Sequence, residues 1–146
     1  VVEILDETSR YPKPQAEVLT AALERLMAHY GAKGRLVTVV LVDDARIRVM
    51  NREHRGIDAA TDVLSYPLQE PDDVGMPSVP HLGDIVISLE TAERQAASHH
   101  APSCDEVAVL AAHGLMHLLG YDHPTEDAWQ EFENAQQLIL TFATRP

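Results

Sequence analysis

The chain carries little that would suit it to an oxidising or a membrane setting. Its one cysteine, Cys104, cannot form an internal disulfide. No apolar run approaches the roughly 20 residues that a membrane-crossing helix needs, and no charged-then-apolar leader opens the sequence. A soluble protein in the reducing cytoplasm is the expectation, with no membrane partner.

Positive charge is scarce as well: 11 Lys and Arg stand against 23 Asp and Glu, a formal net charge of -12. Proteins that bind polyanions without regard to sequence gain affinity by displacing counterions with Lys and Arg, so that class is disfavoured, and DNA is not an expected partner. The few cations are unevenly placed. Residues 1–55 hold nine Lys or Arg against eight acids, and residues 56–146 hold two against fifteen. Arg46, Arg48, Arg52 and Arg55 fall within ten residues.

What is present is enough apolar content, 45% of 146 residues, for one core without staples, and one globular domain over residues 1–146 is expected. Four strands are predicted, over Val1 to Leu5, Leu36 to Val42, Thr61 to Tyr66 and Leu82 to Ser88. Helices are predicted between and after them, about five in all. Pro14 marks the start of the first, and Val18, Leu19, Ala22, Leu23 and Leu26 recur on it at helical spacing. Asp43 or Asp44 caps a second, carrying the arginines to Gly56. A third, around Ala92 and Ala96, runs to His99. Ser103 and Glu106 read as a capping box opening a buried helix that ends at Gly120. Thr125 caps the last. The proline-rich, acidic stretch Gln69 to Pro80 reads as a surface loop. The class is α/β (α+β).

The chemistry concentrates in His113-Gly114-Leu115-Met116-His117. Positions four apart share one helix face, so both imidazoles can reach one ion. Gly120 takes a left-handed backbone readily, which lets the helix stop and brings His123 back to the same point. Three neutral imidazoles leave one tetrahedral position open, as a catalytic zinc site requires. His113, His117 and His123 are therefore the predicted ligands of one Zn2+, although nickel or another divalent metal would also suit a His-rich site. A lone His on an apolar helix is more often a packed residue; the spacing is what sets these three apart.

Position 114 holds Gly, where zinc peptidases of the H-E-x-x-H kind carry the Glu that takes a proton from water, so a peptidase of similar spacing is the weaker reading. Asp122 could serve as a base or orient an imidazole, and a plain turn residue is an equal account of it. His54, His81, His99 and His100 lack a spacing partner for the same ion, though His54 could touch substrate beside Arg55. Cys104 lies more than two helical turns before His113 and is not counted as a ligand.

Arg55 stands apart from the other arginines because a turn and then Thr61-Asp62 follow it. A guanidinium offers a planar fork of donors to phosphate oxygens and stays charged, which suits it to a phosphodiester gaining negative charge. Arg46, Arg48 and Arg52 are more simply a solvated face balanced by Glu53 and Asp44.

Together, HGLMHLLGYDH at 113 to 123, NREHRG and TDVLSYP between Asn51 and Pro67, and LGDIVIS at 82 to 88 resemble the YbeY family of bacterial endoribonucleases and rRNA maturation factors. The resemblance covers about residues 35 to 140, with Met116 where Leu is usual, Tyr66 for Phe, Ile57 for Lys and Ala60 for Pro. It implies a small mixed sheet, a three-His metal site, and the functional Arg at Arg55. It also implies metal-dependent, single-strand-directed cleavage of RNA in 16S rRNA maturation and ribosome quality control, with the small ribosomal subunit as partner. Arg55 and His113 are the expected catalytic residues. The alternatives are a metallohydrolase or peptidase, and a ribosome-assembly factor whose zinc only braces the fold.

Overall fold

A computed structural model describes residues 1–68, 81–121 and 126–144. In chain order the elements are β1 (Val2–Asp6), α1 (Lys13–His29), β2 (Leu36–Val42), α2 (Asp44–Arg55), β3 (Val63–Pro67), β4 (His81–Ser88), α3 (Leu89–Ser98), α4 (Ser103–Leu118) and α5 (Glu126–Thr144). The predicted α/β class holds, with four strands and five helices among the described residues. The loop predicted over Gln69 to Pro80 and the cap at Thr125 fall outside them.

The strands form one mixed sheet in the order β1-β2-β4-β3. β1 and β4 both run parallel to β2, and β3 pairs antiparallel with β4, setting Ser65 opposite Ile85. Side chains alternate across a strand, so β2, β3 and β4 feed two cores, while β1 feeds one and leaves Glu3 and Leu5 exposed. Val37, Val39 and Leu41 of β2, with Ile85 and Ile87 of β4, meet residues of α1, α3, α4 and α5. On the other face Val42, Leu64 and Val86 meet Ile47 of α2, with Val40, Met50 and Tyr66 against them. Each fully buried Leu, Ile or Phe here contributes about 1.5–3 kcal/mol, so Leu115, Phe132 and Ile139 do much to hold α4 and α5 together.

Helix ends follow local chemistry, with two departures from expectation. Asp43 caps α2, its Oδ1 accepting from the Arg46 amide at 2.8 Å. Asp44 bonds outside its own helix. Its Oδ1 accepts from Ser88 Oγ at 2.5 Å and Thr91 Oγ1 at 2.6 Å, and its Oδ2 pairs with Arg94 at 2.8 Å. The acid thus ties α2 to α3 instead of balancing the arginines beside it. The second departure is at α4, where no capping box forms. Ser103 is already helical, and Pro102, held extended at φ -64 and ψ 144 much like Pro12 before α1, occupies the cap with no side-chain bond. Its carbonyl takes the first helical amides, and its ring fixes the approach.

No helix among the described residues is long and apolar enough to cross a membrane.

Candidate active site

The site lies where α4 crosses β3. Val63 packs towards α4, while Leu64 and Tyr66 face α2. Ser65 shares the α4 side, and its Oγ donates to the Gly114 carbonyl at 3.2 Å. That bond ties the strand to the helix at the turn between the two histidines.

His113 and His117, four apart on α4, bring their Nε2 atoms to 3.2 Å with ring centroids 4.8 Å apart. Phe132 of α5, fully buried, lies against both rings at 4.8 and 5.0 Å. Two nitrogens bound to one tetrahedral zinc at 2.0–2.1 Å would be separated by about 3.3 Å, so the pair fits a shared ion. Among the described residues no set of three His, Cys, Asp or Glu side chains converges. The predicted third ligand, His123, and Asp122 beside it lie outside the described residues. The chain does turn ahead of them: Gly120 adopts φ +96, its amide bonds to the His117 carbonyl, and the Tyr121 amide bonds to the Met116 carbonyl, both at 3.0 Å. This is a Schellman-like ending, which redirects the backbone shortly past His117.

Gly114 has a structural reason that the sequence did not reveal. A Cβ at this position would stand 2.5 Å from Cγ2 of Ile85, because α4 presses its backbone onto β4 here. A glutamate in the place used by H-E-x-x-H peptidases would force Ile85 or the helix to shift.

Arg55 ends α2, and Gly56 follows in the left-handed region. Asn51, buried at 2% exposure, donates from Nδ2 to the Ala59 carbonyl at 2.9 Å and so holds the turn between α2 and β3. Arg55 and His54, both exposed, line a cleft of about 530 Å³ that His113 and His117 also line. Residues of β3, including Ser65 and Pro67, line it too. The other arginines are elsewhere: Arg48 pairs with Asp58 at 2.9 Å, and Arg46 and Arg52 do not line the cleft. Asp58, not Glu53 or Asp44, is the acid that neutralises Arg48.

Sequence reading missed Asp62, the carboxylate among the described lining residues. Its Oδ1 accepts from the Val63 amide at 2.8 Å and its Oδ2 from Gln95 at 3.4 Å. It missed Phe132 too, which on spacing alone is one more apolar residue of the last helix. Glu106, nearer the start of α4, has its carboxyl pushed up by burial and by the charge of Asp62, with His99 opposing.

The remaining candidates lie apart from this point. His81 bonds Thr38 Oγ1 at 3.3 Å and meets Asp84 at 3.2 Å. Cys104 lines a separate, more apolar hollow with Tyr11 and Val18.

Comparison with known proteins points one way. The sequence model of a family described as Endoribonuclease YbeY matches residues 3–144. A Deinococcus radiodurans protein named Endoribonuclease YbeY is 50% identical over 137 residues, covering 86% of this chain and 87% of its own length. One of the same name from Thermus thermophilus is 49% identical over 140 residues, covering 96% and 99%. A solution structure of a Thermotoga maritima protein superposes with a TM-score of 0.66 at 25% identity, covering 97% of this chain and 90% of that one.

Proposed function

This chain belongs to the family of endoribonuclease YbeY, and from that premise we propose that it cuts single-stranded RNA in the cleft between Arg55 and the His113–His117 pair. It is an endoribonuclease, a hydrolase of internal RNA phosphodiester bonds. The observation that carries the placement is that Arg55, far from the histidines in sequence, lines the same cleft while the neighbouring arginines do not.

His113, His117 and His123 would hold one divalent ion, zinc by ligand type, with nickel or another metal also compatible. When bound, such an ion supplies Lewis acidity that polarises a phosphoryl oxygen or acidifies a water. The rest is work for the chain itself. Arg55 faces the phosphate with a fixed fork of donors and stabilises the charge that grows as the attacking oxygen approaches. His113 acts as a ligand whose ring is held by Phe132, so its Nε2 keeps its aim. Ser65, by bonding the Gly114 carbonyl, ties β3 to the helical turn that carries the ligands. An acidic protein can do this because the cation that matters is placed at the cleft while net charge elsewhere discourages indiscriminate RNA binding.

The physiological substrate in this reading is ribosomal RNA, in 16S maturation and ribosome quality control, with the small subunit as partner in the cytoplasm. The shared motifs, HGLMHLLGYDH and TDVLSYP, support that assignment. The test is cleavage of precursor 16S rRNA fragments by wild type, His113→Ala and Arg55→Glu, each confirmed folded. Loss in both variants is expected; unchanged activity in both overturns the reading.

A further inference from the structure

His54 is used neither by the predicted metal site nor by the phosphate clamp, yet it lines the same cleft as Arg55. Its imidazole packs against the ring of Tyr66, with centroids 4.3 Å apart and planes inclined by 41°. Tyr66 in turn is partly buried against the α2 core of Val42, Ile47, Leu64 and Val86. An exposed ring is thereby backed by a second ring that the core holds still. The last turn of α2 presents His54 and Arg55 as consecutive residues, one with a flat π surface and the other with a charged fork.

We propose that His54, backed by Tyr66, is a stacking subsite for one unpaired nucleobase, that of a nucleotide adjoining the phosphate held by Arg55. The proposal rests on the RNA-cleaving function above and deepens it by naming what the cleft recognises besides phosphate. Every base has a π face, so such a platform is tolerant of sequence, and it requires a base that is not engaged in a duplex. It gives a net-acidic protein a source of affinity that does not depend on many phosphate contacts. It also makes single-strandedness a property read beside Arg55. Tyr66 acts as a positioning residue, through His54.

The test uses the full-length, metal-loaded protein and a single-stranded oligoribonucleotide with one mapped cut, together with copies carrying an abasic nucleotide at each position flanking that cut. For wild type, one abasic position raises KM about tenfold, the scale of a lost base-ring stack, with kcat within about twofold. His54→Ala shows the same rise on the intact oligonucleotide and no further rise on the abasic one, and His54→Phe restores both affinity and abasic sensitivity. Anisotropy of the same labelled oligonucleotides reports the same pattern in Kd. Two results overturn the subsite: His54→Ala indistinguishable from wild type, or His54→Ala and His54→Phe equally impaired while abasic sensitivity persists, which is what a mere cover over Tyr66 would give. A wild-type protein that cuts and binds none of these RNAs overturns the underlying function, a result recognisable because it appears before any substitution is made.

Discussion

Gly114 and Ile85 are packed so closely that a single added carbon at residue 114 would fall 2.5 Å from Ile85 Cγ2. The contact sets how near α4 lies to the sheet, and with it where the histidines on either side of Gly114 meet β3. Gly114→Ala is therefore expected to destabilise the protein by about 1–3 kcal/mol through overpacking, and Gly114→Glu by more. Urea unfolding checks this; a midpoint equal to that of wild type would show that the helix can lift without penalty.

Arg55 should behave unlike its neighbours. Removing a donor aimed at developing charge lowers kcat by about 100- to 1,000-fold, so Arg55→Ala should lose activity on that scale with its fold intact. Arg46→Ala, which alters a cation outside the cleft, should change cleavage of the same RNA by less than about twofold. Equal losses from the two would mean that general electrostatic attraction, not placement, is what counts.

Metal removal separates catalysis from bracing. With α4 and α5 already joined through Leu115, Phe132 and Ile139, chelation is expected to stop cleavage while far-UV circular dichroism stays native, and zinc should restore activity. Unfolding on chelation would instead identify a bracing ion.

The Asp44 hub gives a pH signature. Burial pushes this carboxyl up, but the bonds from Ser88, Thr91 and Arg94 outweigh it and hold the group below the usual carboxylate range. Its folded state thus releases the proton more readily than the unfolded chain, so the stability it supplies is complete above the ordinary Asp value near 3.8 and is lost as pH falls further. Asp44→Asn should be less stable than wild type by about 1–3 kcal/mol at pH 7, with the gap closing in acid. A gap that stays constant to pH 2 in thermal melts would contradict the assignment.

Glu106 carries the opposite sign. Burial is the main reason its carboxyl is raised, so the charged form is disfavoured in the folded protein at neutral pH. Glu106→Gln should melt higher than wild type at pH 8, and the advantage should vanish below the ordinary Glu value near 4.5, where both states are protonated. A melting point unchanged at pH 8 would show that water reaches the group freely.

Much of the fold was legible in the chain. Leu36 to Val42 reads directly as a strand because its β-branched run has no competing helical spacing, and Asp43 and Gly56 bound α2 by local capping chemistry alone. Ser103 misled because a capping box is a local preference, and Pro102, with its fixed φ, already satisfied the entry to α4. Asp44 looked like a counter-charge for its own helix because sequence shows helical neighbours, and Arg94, on α3, is near only after folding.

By itself the sequence determined the element order, the i, i+4 pair of histidines on one helix face and the glycine turn after them, since each follows from backbone geometry within a few residues. Only tertiary structure decided that Arg55 lines one cleft with the histidines, that Phe132 lies against both rings, that Gly114 packs closely on Ile85, and that His54 rests on Tyr66. Those relationships join residues far apart in the chain. They depend on how β3, α2, α4 and α5 pack together, and helical or strand periodicity carries no information about that.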